Sequence, residues 1–197
     1  MRELTHEIAQ FYQTREVSNL PEKQRIGQAA ARLIQQGTTI ALSGGSTPLQ
    51  VARHMPTDTS ITVVTNDLNI VQVLANHLHL EIFVPGGYLR LGRENLVGAN
   101  AITALDGLDI AQVFLTVTGL DLDVGATAGH IGNVVYLRAL VARAKQCIVI
   151  ADHTKFENPP QIVICGWEDV DMLISDRGLA PTLQQNLEAK GVKVILA

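Results

Sequence analysis

Short aliphatic runs that end in small or polar residues, each followed by a helical pattern, recur along this chain, and that alternation leaves few folds open. Thr38-Thr39-Ile40-Ala41-Leu42 carries a buried-strand signal and runs into Ser43-Gly44-Gly45-Ser46-Thr47-Pro48, after which Leu49, Val51 and Ala52 resume helical spacing. Further strands are expected at residues 61–65, 80–84, 111–117, 147–151, 162–165, 172–175 and 192–196. Helices are expected at 22–36, with Gly37 as C-cap, and at 70–78, 99–105, 133–145 and 179–190, with Gly191 closing the last. Strands alternating with helices predict an α/β fold: a mostly parallel sheet with helices on both faces, Rossmann-like. Aromatics at 4% and abundant Ala, Val, Ile and Leu favour buried parallel strands over an antiparallel sandwich.

Charge narrows the function. Fifteen Lys and Arg against nineteen Asp and Glu give −4, and no basic cluster interrupts the chain. A domain that grips nucleic acid by itself needs a basic face, so any DNA contact must come from another segment. The two cysteines, Cys147 and Cys165, sit in apolar runs and read as buried thiols. No run approaches the ~18 apolar residues of a membrane span, and the first residues lack a signal core, so a cytoplasmic protein with no membrane partner is expected. Residues 1–21 read as a linker or N-terminal arm, ahead of a body at 22–197.

In a doubly wound sheet, ligands bind beyond the carboxyl ends of the strands. Residues 43–47, Asn66, Gly86-Gly87, Gly119 and residues 152–155 all fall at such ends. The sharpest signal is Ser43-Gly44-Gly45-Ser46-Thr47-Pro48. Its glycines let backbone N–H groups approach an anion, its hydroxyls add hydrogen bonds, and the helix start behind it favours phosphate. No Lys follows the glycines, so it is not a Walker loop, and it lacks the dinucleotide spacing. Lys155 could reach a bound phosphate as a point charge, or could be a solvated loop lysine. Thr65-Asn66-Asp67 could present an amide to sugar hydroxyls or simply cap a helix. Arg90 and Arg93 could clamp an anion or lie on the surface. Asp121 and Asp123 form a carboxylate pair fit for acid–base work, but Asp and Gly are also plain turn formers. The six histidines show no metal spacing, and no nucleophile–base arrangement is legible.

From about residue 11 onward the chain resembles the sensor domain of DeoR-family repressors. The matching pieces run in the family's order: Glu22-Lys23, the 43–47 loop, Thr62-Val63-Val64-Thr65-Asn66, Gly86-Gly87-x-Leu89-Arg90 and Leu96-Val97-Gly98. Then come Phe114-Leu115, Gly119-Leu120-Asp121, Ala151-Asp152-x-x-Lys155-Phe156, Leu173-Ile174-Ser175-Asp176, and Gly191-Val192-Lys193-Val194-Ile195-Leu196. The resemblance implies a fold similar to ribose-5-phosphate isomerase and a non-enzymatic sensor without cofactor or metal, self-associating as a dimer or tetramer. It implies a small phosphorylated metabolite as effector. It also implies an N-terminal winged helix-turn-helix for DNA, which this sequence does not display, so a truncated regulator is expected. The effector site so implied comprises Ser43, Gly44, Gly45, Ser46, Thr47, Thr65, Asn66, Gly86, Gly87, Arg90, Thr118, Gly119, Asp121 and Lys155. Four positions depart from the family: Ser43 and Thr118 stand where it usually has Asp, and Asn133 and Leu137 where it has Glu and Lys. The alternative is a sugar-phosphate enzyme of isomerase, lactonase or deaminase type, because Leu-Ser-Gly-Gly-Ser-Thr-Pro also resembles the loop of 6-phosphogluconolactonases and amino-sugar phosphate deaminases.

Overall fold

Seven strands form one fully parallel sheet in the computed structural model, which describes residues 17–56, 60–89 and 94–197. They are β1 (Thr39–Leu42), β2 (Ile61–Thr65), β3 (Leu80–Phe83), β6 (Ile110–Leu115), β9 (Ala144–Ile150), β11 (Met172–Ser175) and β12 (Lys193–Leu196). Their spatial order is β3-β2-β1-β6-β9-β11-β12. The chain starts at β1, winds outward to β3, then returns to β1's other side as β6 and winds away to β12. A sheet wound this way has its crevice where the order reverses, between β1 and β6.

Both faces are covered because successive strand residues point to opposite sides. Ile40 and Leu42 of β1, Phe114 of β6 and Ile148 and Ile150 of β9 join the core beneath three helices, α1 (Leu20–Ala31), α2 (Ser46–Arg53) and α3 (Leu68–Leu74). Ala41, Val113, Leu115, Cys147 and Val149, the intervening residues, join the other core. That one packs on α4 (Ala99–Thr103), α5 (Ile131–Val141) and α6 (Pro181–Ala189). Both cysteines are buried and free, as their apolar settings suggest.

Several elements differ from expectation. The first helix ends at Ala31, and Gly37 belongs to the turn into β1: it has φ 71° and its N–H donates to the Ser60 carbonyl at 2.8 Å. The strand β10 (Ile162–Cys165) leaves the main sheet and pairs antiparallel with β8 (Gly125–Ala128), which in turn pairs with β7 (Gly119–Asp121). A second small hairpin joins β4 (Tyr88–Leu89) to β5 (Leu96–Val97). Segments as short as Tyr88–Leu89, Leu96–Val97 and Gly119–Asp121, or as small in side chain as Gly125–Ala128, carry no measurable periodicity, so they escape pattern reading. No helix among the described residues is long and apolar enough to cross a membrane.

Candidate functional site

The crevice between β1 and β6 begins with Ser43, fully buried at the end of β1. Its N–H and hydroxyl both donate to the Phe114 carbonyl, at 3.2 and 3.0 Å, and its oxygen accepts the Thr116 N–H at 2.8 Å. Two strands that part company here are therefore latched by one side chain. The hydroxyl is engaged with protein, which is why a serine serves at this position. Ser43→Ala should leave the half-buried Thr116 N–H without its acceptor and cost roughly 1 kcal/mol, readable by urea unfolding. A loss below about half a kilocalorie would show that the strands need no latch.

Next in the loop, Gly44 and Gly45 are each required. Gly45 has φ 146°, a backbone region for glycine, and opens α2, whose start carries no side-chain cap. Gly44 lies flat against the β4–β5 hairpin and the β2–α3 turn: a Cβ there would sit 1.5 Å from Asn95 Nδ2 and 2.9 Å from Asp67 Oδ2. The Asn95 amide nitrogen is buried with no hydrogen-bond partner. A donor left unsatisfied in a buried polar place is a request for a ligand atom.

Asp67 completes the loop's surroundings and is fully buried. Its Oδ1 caps α3, accepting the N–H of Asn69 at 2.9 Å and Ile70 at 3.4 Å, while Oδ2 accepts the Gly45 N–H at 3.0 Å. Burial drives its carboxyl up to about 6 against the pull of those three amides, and Glu94 adds to the rise. Neighbouring Thr65 spends its hydroxyl on the Asp67 N–H, and the Asn66 amide nitrogen holds the Leu96 carbonyl at 2.8 Å, leaving its buried oxygen unpartnered. Gly86 and Gly87 turn the chain into the hairpin that delivers Asn95. At Gly87 (φ 114°) a Cβ would meet the Val97 carbonyl oxygen at 2.5 Å.

The remaining expected residues are spread along the same rim. Ser46 is half-buried and Thr47 buried at the start of α2. Thr118 and Gly119 lead into β7, with the Thr118 carbonyl accepting from Asn158. The Asp121 carboxylate closes its own hairpin, taking the N–H groups of Asp123 and Val124 at 2.8 Å each. Lys155 follows β9, neighbour of β6, with its ammonium 3.7 Å from Asp152. Arg90 falls outside the described residues. Beside Lys155 stand groups at expected strand ends that the expected effector site did not include. The fully buried Asp152 receives Asn19 and Thr154, and Asp176 accepts the His153 ring and backbone at 2.8 Å each. Burial opposes ionisation of Asp176, but the amides of His153 and Gly178 and the His153 ring outweigh it and hold the carboxyl below the usual range. Lys23 is buried in the first turn of α1, its ammonium 2.5 Å from the Ser18 carbonyl. Only the Glu22-Lys23 motif could have drawn attention to it; Asn19 and Asn95 carry no local signal at all. Two cavities of about 440 and 350 Å³ open at the opposite rim, by the amino ends of β1–β3 and of β9, and include none of these residues.

A glycine-rich loop, a capless helix start and unpartnered buried amides at the switch point of a parallel sheet define a ligand-sensing α/β domain. The chain belongs to the DeoR C-terminal sensor domain family, which matches residues 18–177. It is 29% identical to the HTH-type transcriptional repressor GlcR of Bacillus subtilis, over 97% of this chain and 73% of that protein. It is 26% identical to the HTH-type transcriptional repressor CsqR of Escherichia coli, over 94% and 71%. The chain thus spans roughly two thirds to three quarters of its curated relatives' length. Among solved structures, the Probable sor Operon Regulator from Shigella flexneri superposes with a TM-score of 0.55 at 11% identity, over 85% of this chain and 89% of that one. Ribose 5-phosphate isomerase A from Methanocaldococcus jannaschii gives 0.51 at 14% identity, over 68% and 53%. At those identities the likeness is one of fold, which is the fold expected from sequence. The relatives are named as transcriptional repressors, in keeping with the sensor-domain family to which the chain belongs.

Proposed function

We propose that this domain senses a small phosphorylated metabolite, a sugar phosphate or a close relative, and that binding modulates a DNA-binding helix-turn-helix module of the full-length regulator. The observation that carries the reading is the Asn95 amide, buried without a partner against Gly44 beside the uncapped start of α2. An anion accepted there would satisfy Asn95 and the first amides of the helix together. Lys155 would add a mobile positive charge, and the buried oxygens of Asn66 and Asp152, both lacking a hydrogen-bond donor, suit ligand hydroxyls. The sensor would work in the cytoplasm as a homo-oligomer, pairing DNA-reading modules to suit two-fold operators; a monomer mass by light scattering would overturn that last point.

A thermal-shift panel of pentose, hexose and amino-sugar phosphates should contain a stabilising compound, because a ligand that binds only the folded state raises its melting temperature. Gly45→Val, which forces a branched side chain onto φ 146° and toward Thr116, should abolish the shift. If the variant responds like the wild type, the anion sits elsewhere.

A further inference from the structure

We propose that the buried Asp67 carboxylate is a built-in competitor for the anion loop, and that its charge decides how well the loop accepts a dianion. The proposal rests on the reading of residues 43–47 as an anion site. Asp67 Oδ2 already holds the Gly45 N–H at 3.0 Å and lies against Gly44, so an entering phosphate meets a negative charge at the mouth of the loop. Full burial of Asp67 weakens solvent screening of that repulsion, and unit charges a few ångströms apart in such surroundings interact strongly. Among the described residues, the groups facing Asp67 do not neutralise it: the loop and α3 present the amides of Gly45, Asn69 and Ile70, and the hairpin presents Asn95 and the acidic Glu94. Its carboxyl therefore titrates near 6, within reach of ordinary cellular acidification. Once protonated, Asp67 can keep its capping bonds through its carbonyl oxygen while the repulsion disappears. The loop would then favour monoanions and neutral hydroxyls at alkaline pH and would admit dianions as pH falls.

Calorimetric titration of wild type and Asp67→Asn with sulfate tests this, because sulfate stays dianionic from pH 5 to 8 and only the protein titrates. Asparagine keeps the α3 cap through its oxygen and remains neutral, while its nitrogen releases the Gly45 N–H at every pH alike. The ratio of variant to wild-type affinity for sulfate should therefore be about tenfold larger at pH 8 than at pH 5. Glu94→Gln, which removes a charge that raises the Asp67 carboxyl, should move the midpoint of the wild-type curve to lower pH. Measurable binding with the same ratio at every pH, or with a smaller ratio at pH 8 than at pH 5, overturns the proposal and leaves the anion loop standing. If neither protein binds sulfate, inorganic phosphate or ribose 5-phosphate at any pH, the anion loop itself fails, and the proposal with it.

Discussion

Gly44→Ala should destabilise the protein by about 2–3 kcal/mol, within the range for overpacking a filled site. The added methyl would fall 1.5 Å from Asn95 Nδ2, and the hairpin bearing Asn95 is stitched to the β2–α3 turn by Leu68 N–H to the Glu94 carbonyl and Leu96 N–H to the Asn66 carbonyl, 2.8 Å each. Relief means turning the buried Asn95 side chain off the loop or lifting the hairpin and breaking those bonds. Gly107→Ala is the control: φ is 80° and nothing lies within 4 Å, so only backbone strain of about 1 kcal/mol is expected. Urea unfolding of both decides. Equal losses would show that the hairpin is not seated on the glycine loop.

Between pH 4 and pH 8, Asp67→Asn should gain about 2–3 kcal/mol of stability relative to wild type, on top of a pH-independent loss because an amide nitrogen cannot accept the Gly45 N–H that Oδ2 now accepts. In the unfolded chain this carboxyl titrates near 3.8, and in the folded protein near 6. Between those values the folded state holds a proton that the unfolded state has released, so stability falls as pH rises through the window. Two pH units correspond to at most about 3 kcal/mol. Asparagine never ionises and escapes the loss. Asp176 titrates in both proteins and cancels from the difference. Stability curves at pH 4, 6 and 8 read the effect, and a difference between variant and wild type that stays constant with pH would show that Asp67 does not titrate in this window.

Much of this architecture was legible before any coordinates, for a definite reason. Parallel strands buried on both faces need unbroken aliphatic runs, and loops at their carboxyl ends need Gly, Asn or Asp. Both demands are written in consecutive residues, as in Ile40-Ala41-Leu42 followed by Ser43-Gly44-Gly45. The family could be read from the same collinear pieces. Strand ends were blurrier: the helix expected to reach residue 36 stops at Ala31, because propensity past that point is overruled by the turn that Gly37 makes against Ser60.

What tertiary structure alone decided is which side chains share a site. Asn95 and Asp67 meet Gly44 only because a hairpin with no periodic signal folds over the β2–α3 turn. Asn19 reaches Asp152 across 133 residues of sequence. Ser43, expected in the ligand loop, also latches the diverging strands, and Asp121, expected at the same rim, also accepts the amides of its own turn. The same side-chain chemistry serves a ligand or a neighbouring amide equally well. Sequence determines local geometry through backbone sterics and burial pattern, whereas the partner of a polar group depends on contacts between segments far apart in the chain.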